Sequence, residues 1–336
     1  LKKRITIRDI AAMLSLTPSS VSRALSNHPG ISETTKHRVQ EAVQELGYVP
    51  NLHARYFRQK KSRLIALIVP EYNMFFMPDL LQAVQDTLSA AGYSLIILHT
   101  NNDYPKEVSA IQHCMSWLVD GVLAVLTEHT TDLDHFEPLH DENTPVVIVD
   151  KILPTQKYSL IRVDDLQIAA QAATLLLESG CTHCLGIFAK SGLEITKSRE
   201  AGFIQAFENY FGSIDPLPQY HVISIDSQNG CEEALNHYSE KHGVPDGIFT
   251  MSDEILVAAY RPYIKWEEQG RKKIKLIAVS DGKAPYYFHK RVSHILHSGY
   301  ETGKKAALHL IERIHNPEIK ASQFFTETEF IRLDTL

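Results

Sequence analysis

Short polar and charged side chains recur in this 336-residue chain directly behind apolar runs. Asn73-Met-Phe-Phe76 follows one run, Asn101-Asn-Asp103 a second and Asp150-Lys151 a third; Ser191 to Arg199, Ser252-Asp253 and Ser280-Asp281 follow others. Phe75 and Phe76 are rings that can stack on the apolar face of a polyhydroxylated molecule. Asp150, Asp253 and Asp281 accept hydroxyl hydrogens, Arg199 and Lys151 donate to hydroxyl oxygens, and Asn101, Ser252 and Ser280 can do either. This is binding chemistry. Taken singly, each residue has a plainer reading: Phe75 and Phe76 as core, Asp150 and Asp253 as helix N-caps, Arg199 as a surface charge. Their shared position behind apolar runs is what points to a pocket.

Catalysis finds little support. The chain has no Gly-rich phosphate cradle, no His-Glu-x-x-His and no Gly-x-Ser-x-Gly elbow, and its 17 histidines are scattered without ligand spacing. Cys181-Thr-His-Cys184 has the spacing of a zinc or redox motif, but a second pair is missing. Two thiolates supply only part of the tetrahedral set that zinc requires, so a buried structural role is expected. The expectation is a non-enzyme without cofactor or metal.

The elements that would position these residues are legible as an alternation. Apolar runs at 64–69, 94–98, 121–126 and 146–149 form one set of strands, and those at 184–188, 221–225, 247–250 and 274–279 a second. Helical periodicity falls between them at 77–91, 109–118, 166–179 and 200–209, and again at 303–314; strand character returns at 324–333. Strands alternating with helices predict parallel sheets with right-handed crossovers. Eight strands in two groups predict two doubly wound lobes. Such sheets bind ligands beyond the C-terminal ends of their strands, where the polar groups above lie. Apolar content of 44% and charged content of 22% are those of a globular protein. No apolar run approaches the roughly 18 residues of a bilayer span. The basic N-terminus runs straight into an amphipathic pattern without a signal-peptide block, so a cytoplasmic location is expected.

Ahead of this body lies a different composition. Ile7, Ile10, Ala11 and Leu14 mark one face of a short helix. Thr17-Pro18 is a hydroxyl cap followed by a residue suited to a first helical turn, and Val21, Ala24 and Leu25 give a second face. A third helix follows Ser32, with Val39, Ala42, Val43 and Leu46 on one side and Gly47 at its end. Two helices about three residues apart form a helix-turn-helix, and a third can complete a small core. Residues 1–63 carry 12 Lys/Arg and 4 Asp/Glu, a balance of +8; the whole chain is −6, which leaves −14 on the other 273 residues. A basic head on an acidic body is the electrostatic footprint of a nucleic-acid reader joined to something that is not one.

Ile7-Arg-Asp-Ile-Ala11, Val21-Ser-Arg-Ala-Leu25, Leu46-Gly-Tyr-Val-Pro-Asn51 and Ala54-Arg55, in that order and spacing, resemble the DNA-binding head of the lactose-repressor/galactose-repressor family. The resemblance continues through nearly the whole chain. It implies an all-α helix-turn-helix head plus an α/β two-lobed body like that of periplasmic binding proteins. The implied domains are 1–50 for the head, 51–62 for a hinge helix, 63–161 plus 293–321 for one lobe, and 162–292 plus 322–336 for the other. The chain would then cross between lobes near Arg162, Val292 and Ser322.

The resemblance also implies DNA contacts at Thr6, Thr17, Pro18, Ser19, Ser20, Ser22, Arg23 and Asn27. Arg23 is the natural partner of guanine O6/N7, while Ser20 and Ser22 hold phosphates. In the hinge, His53 and Ala54 would touch DNA, and Phe57 stands where a leucine usually pries a base step open. In the body, Arg199-Glu-Ala-Gly-Phe203 matches the segment whose arginine grips the effector, and Val147-Ile-Val-Asp150 the strand that delivers a pocket aspartate. Met74 replaces a usual proline, Lys151 a common arginine, and Ser280 an aspartate, with Asp281 next to it. The expected function is a transcription regulator, most simply a repressor, acting as a homodimer on operator DNA under control of a sugar-like effector. The other reading is a solute-binding receptor, which has no need of a basic head.

Overall fold

The computed structural model describes residues 5–48, 62–189, 192–210, 217–225, 228–269 and 273–336. They fall into two compact units, Leu1–Ser62 and Arg63–Leu336.

The first unit holds helices α1 (Ile7–Leu14), α2 (Pro18–Leu25) and α3 (Glu33–Leu46). The Thr6 N–H donates to Asp9 Oδ2 (2.7 Å) at the start of α1, and Ser15, at φ +54°, ends it in the left-handed conformation. Thr17 caps α2 by accepting from the Ser20 N–H (3.1 Å), and Ser32 caps α3 by accepting from Thr35 (3.3 Å). Gly47 closes α3 at φ +59°, a conformation that costs glycine least. Ile10, Ala11, Val21, Ala24, Val39 and Ala42 are buried together, with Ile7, Leu14, Leu25, Val43 and Leu46 packed around them. The periodic residues of the sequence are therefore the core. Full burial of each larger aliphatic contributes roughly 1.5–3 kcal/mol, which is what short helices of this length need to persist.

The second unit is built on two six-stranded sheets. In chain order its elements are β1 (Leu64–Val69), α4 (Phe76–Ala90), β2 (Ser94–His99), α5 (Tyr104–Trp117), β3 (Gly121–Ala124), α6 (Glu137–Asp141), β4 (Val146–Val149) and β5 (Ser159–Arg162). Then come α7 (Asp165–Glu178), β6 (His183–Ala189), α8 (Glu194–Glu208), β7 (Gln219–Ile225), α9 (Gln228–His242), β8 (Gly247–Thr250), α10 (Asp253–Glu268) and β9 (Lys275–Ser280). The chain ends with β10 (Ser293–Leu296), α11 (Gly299–His315), β11 (Gln323–Phe325) and β12 (Glu329–Ile331).

The first sheet has the order β11-β5-β4-β3-β1-β2 and the second β12-β10-β9-β8-β6-β7. Every pairing is parallel except β10 with β12. Central strands such as Leu-Ile-Ala-Leu-Ile-Val at 64–69 are apolar at every position because helices cover both faces.

The chain passes from the first sheet to the second after Arg162, returns at His297–Ser298, and passes again at Thr326–Thr328. The second crossing is not near Val292: Ser293–Leu296 pairs with β9 and belongs to the second lobe. The third is not near Ser322: Gln323–Phe325 pairs with β5 in the first lobe, and only Glu329–Ile331 joins the second. What reads as one strand at 324–333 is two, divided by Thr326-Glu-Thr328. The segment 51–61, where the hinge helix is expected, lies outside the described residues.

Candidate ligand cleft and nucleic-acid interface

The C-terminal strand ends of both sheets face a cleft of about 520 Å³, within the size range of small-molecule sites. The first lobe contributes Asn73 and Phe76 after β1, and Asp150 and Lys151 after β4. The second contributes Arg199 from α8, Ser252 and Asp253 after β8, and Ser280 and Asp281 after β9. His297 enters from the crossing between β10 and α11. Met74, Leu193, Ile195, Met251 and Ile255 supply apolar wall.

Arg199 is the most connected of these. Its Nε donates to Asp165 Oδ1 (2.9 Å), Nη1 donates to the Met251 carbonyl, and Nη2 lies 3.5 Å from His297 Nδ1. Asp165 is held from its other side by Arg162 Nη2 (3.0 Å). Helices α7 and α8 approach closely enough to allow this because residue 202 is glycine: a Cβ there would stand 2.0 Å from the Leu166 carbonyl oxygen. Guanidinium has no acceptor, so Nδ1 of His297 must accept and its proton sits on Nε2. Burial, and Arg199 beside it, push the imidazole down to about 3, which keeps it neutral. Nε2 makes no hydrogen bond and lies 3.7 Å from Asp150 Oδ1. The Phe76 ring packs 4.6 Å from the imidazole, centroid to centroid.

Ser252 is the N-cap of α10, accepting from the Ile255 N–H (3.4 Å), which leaves Asp253 free of that role. Asp253 Oδ2 accepts from the Asp281 N–H (2.8 Å), and Asp281 Oδ1 accepts from the Lys283 N–H (3.0 Å). The other oxygen of each carboxyl group is buried without a hydrogen-bond partner. Burial pushes the Asp253 carboxyl up to about 7 and raises Asp281 as well. Asp150, in the left-handed region at φ +63°, is also raised by burial. The Ser280 hydroxyl accepts from the Gly282 N–H (2.9 Å). Lys151 Nζ lies 3.8 Å from Glu128 Oε1.

Two expected residues do not line the cleft. Phe75 precedes the first turn of α4, half-buried, and its backbone N–H donates to Glu254 Oε1 (3.1 Å); Phe76, one residue on, takes the inward direction. Asn101 is exposed at φ +55° behind β2, the edge strand of its sheet and therefore remote from the centre where ligands collect. Conversely, His297, Glu128 and Glu254 line the cleft without having been expected. His297 follows a strand whose Ser-His-Ile-Leu sequence is too short and too polar to stand out.

In the head, Pro18, Ser19, Arg23 and Asn27 are exposed along and just beyond α2, and Ser20 and Ser22 are half-buried. The Thr17 hydroxyl lies 2.8 Å from that of Ser19 and 2.9 Å from that of Ser20, so the cap and its neighbours form one hydroxyl cluster at the N-terminus of α2. Such a terminus favours phosphate. The Thr6 hydroxyl donates to Asp9 Oδ2 (2.6 Å). His53, Ala54 and Phe57 lie outside the described residues.

Cys181 and Cys184 are buried, and their sulfurs and an Asp246 oxygen lie within 4.8 Å of one another. The Asp246 carboxylate already accepts from the N–H groups of Thr182 and His183 and from the Thr182 hydroxyl (2.8–3.0 Å), and a hydrogen bond to Cys181 together with burial raises the Cys184 thiol. That chemistry suits a structural turn more than a metal. Among the described residues no helix is long and apolar enough to cross a membrane.

Comparison with known proteins agrees with this architecture. Residues 62–323 match the model of periplasmic binding proteins and the sugar-binding domain of the LacI family, and residues 6–51 match that of bacterial regulatory proteins of the lacI family. The ribose operon repressor of Halalkalibacterium halodurans is 30% identical over 76% of this chain and 74% of its own. The HTH-type transcriptional repressor CytR of Escherichia coli (strain K12) is 22% identical over 97% of this chain and 94% of its own. The crystal structure of the lac repressor dimer bound to operator and the anti-inducer ONPF shares the fold, with a TM-score of 0.85 at 17% identity and 99% of both chains covered. A helix-turn-helix head, two parallel-sheet lobes and matches spanning both together establish that the chain belongs to the lacI family of bacterial transcription regulators.

Proposed function

We propose that this regulator is a repressor that binds a near-palindromic operator as a homodimer, reads bases through α2, and is controlled by a polyhydroxylated effector in the interlobe cleft. The exposed Arg23 on a helix whose N-terminus is a hydroxyl cluster supports the first part. Arg23 takes a guanine edge, Pro18 and Ser19 make base contacts, and Thr6, Thr17, Ser20, Ser22 and Asn27 position the helix. Minor-groove contacts at His53, Ala54 and Phe57 rest on the family resemblance.

The observation that carries the second part is the buried Asp150–His297–Arg199 arrangement, beside which Asp253 and Asp281 each keep an oxygen without a partner. A site with unmet hydrogen-bond capacity and an aromatic ring in its wall suits a sugar-type ligand. Lac repressor with operator and ribose-bound and cellobiose-bound relatives show the kinds of partner the family takes. An effector that changes the angle between lobes would, through the homodimer, alter operator affinity.

The test is selection of double-stranded sites by the full chain, followed by anisotropy titration with and without sugars. A palindromic consensus bound with steep salt dependence, and an affinity that shifts with a sugar, are expected. Absence of any preferred site would leave only the solute-receptor reading.

A further inference from the structure

The cleft holds more acceptors than the protein satisfies. Asp253 is 6% exposed and Asp281 8%, and Asp253 Oδ1 and Asp281 Oδ2 have no hydrogen-bond partner. The Asp281 N–H bonded to Asp253 Oδ2 (2.8 Å) places the two carboxyl groups side by side. Nearby N–H donors are committed elsewhere: Arg199 to Asp165 and the Met251 carbonyl, the Lys283 side chain to Asp79, and the Gly282 N–H to Ser280; among neighbouring hydroxyls, that of Ser280 reaches the Asp253 carboxyl. Among the described residues lining the cleft, Glu71, Glu128, Asp150, Asp253, Glu254 and Asp281 face only Lys151 and Arg199 as cations.

We propose that the effector carries a protonated amino group beside its hydroxyls, seated against Asp253 and Asp281. The inference rests on the cleft being an effector site. Each class of ligand meets the pair differently. A phosphorylated sugar or a sugar acid brings acceptors and negative charge to a place already short of donors. A neutral diol supplies two donors but leaves two adjacent buried carboxylates uncompensated, or requires one to stay protonated. An ammonium group supplies three donors and the missing positive charge in one contact. Burial raises both carboxyl groups in the free protein, which marks the same deficit. Phe76 and Met251 then cover the apolar face of the ligand.

The experiment is thermal-shift screening and calorimetry of the full chain with matched probes. These are D-glucosamine, D-galactosamine and D-mannosamine, their parent hexoses, their N-acetyl derivatives, glucose 6-phosphate and gluconate. The amine is expected to bind at least tenfold more tightly than its parent and its N-acetyl form, and to tighten between pH 5.5 and pH 7 as the Asp253 carboxyl ionises. Asp253→Asn and Asp281→Asn should each reduce the amine-to-parent ratio about tenfold. If a variant fails to fold, the wild-type comparison of amine with N-acetyl form decides alone. Equal or tighter binding of parent, N-acetyl form, phosphate or acid overturns the amine while leaving the sugar-type site standing. If no probe stabilises the protein, both readings fall together.

Discussion

Nη2 of Arg199 and Nδ1 of His297 meet at 3.5 Å across the junction between the second lobe and the chain crossing. This relationship fixes the imidazole tautomer. It presents a neutral Nε2–H toward Asp150 of the first lobe, 3.7 Å away. A donor held there by a residue that cannot lose its own proton is available over the whole physiological pH range.

Substituting His297→Phe should keep the packing against Phe76 and remove that donor. One lost hydrogen bond to a ligand is worth about 1–1.5 kcal/mol, close to tenfold in affinity. Calorimetry should therefore show an effector Kd raised about tenfold with little change in melting temperature. An unchanged Kd would mean that Nε2 does not touch the ligand.

Arg199→Ala should behave differently. The side chain is 3% exposed, and removing it leaves Asp165 buried with one of its two cationic partners. Breaking a buried pair from one side costs about 3–5 kcal/mol. The variant should melt many degrees lower even without effector, whereas His297→Phe should not. Equal melting points for the two would show that the ion pair carries no structural weight.

Gly202→Ala tests what positions Arg199. The added carbon would meet the Leu166 carbonyl oxygen at 2.0 Å, a backbone atom that cannot swing aside. Helices α7 and α8 must then separate, at a cost in the range of about 1–3 kcal/mol or more for overpacking, and Arg199 moves off Asp165. The expected result is a lowered melting temperature together with weakened effector binding, by thermal denaturation and calorimetry. A variant stable and fully competent in binding would contradict the close approach.

The raised Asp253 carboxyl makes a stability prediction with a definite sign. Its folded value of about 7 lies above the ordinary carboxylate range, so the folded state holds this proton more tightly than the unfolded chain does. The resulting contribution is complete below about pH 4 and is lost as pH rises toward 7. Asp253→Asn can still accept from the Asp281 N–H through its amide oxygen. It should therefore gain melting temperature relative to the parent at pH 7.5 and lose that advantage at pH 4.5. Parallel curves at both pH values would show that Asp253 is ionised normally.

Much of this was legible because parallel sheets write themselves as apolar runs. Leu64–Val69, Val146–Val149 and Gly247–Thr250 are strands with the bounds that their composition suggests. The strand-end rule then brought Asp150, Arg199, Asp253 and Asp281 to one cleft although they are far apart in sequence. What escaped depends on topology. Asn101 follows a strand as convincing as any, but that strand is an edge. His297 follows a short strand that only its pairing with β9 reveals. The crossing at Thr326–Thr328 is likewise decided by which sheet each half of the segment joins.

Arg23 bears on DNA discrimination. Its side chain is exposed on α2, so Arg23→Ala should leave the head folded. Loss of a bidentate guanine contact should cost roughly 1–3 kcal/mol on the operator and little on random duplex. Thr17→Ala instead removes the cap of α2, whose hydroxyl accepts from the Ser20 N–H, and should destabilise the head by about 0.5–2 kcal/mol. Competition titrations against operator and random DNA separate the two effects. Equal losses on both duplexes for Arg23→Ala would reassign that arginine to phosphate.

Coupling between cleft and operator should pass in part through an ion pair that links the lobes. Asp79 lies on α4 of the first lobe, Lys283 follows β9 of the second, and the two form an ion pair. Both are partly exposed, so the pair contributes little to fold stability, about 0–1 kcal/mol. An energy that small is still comparable to the differences that set a balance between two lobe angles. Asp79→Ala and Lys283→Ala should each melt within a few degrees of the parent. Both should change the ratio of operator affinities with and without effector by about two- to fivefold, and the double variant should match the singles rather than add to them. Additive effects in that cycle would mean that the two residues act separately, and that lobe closure is governed elsewhere.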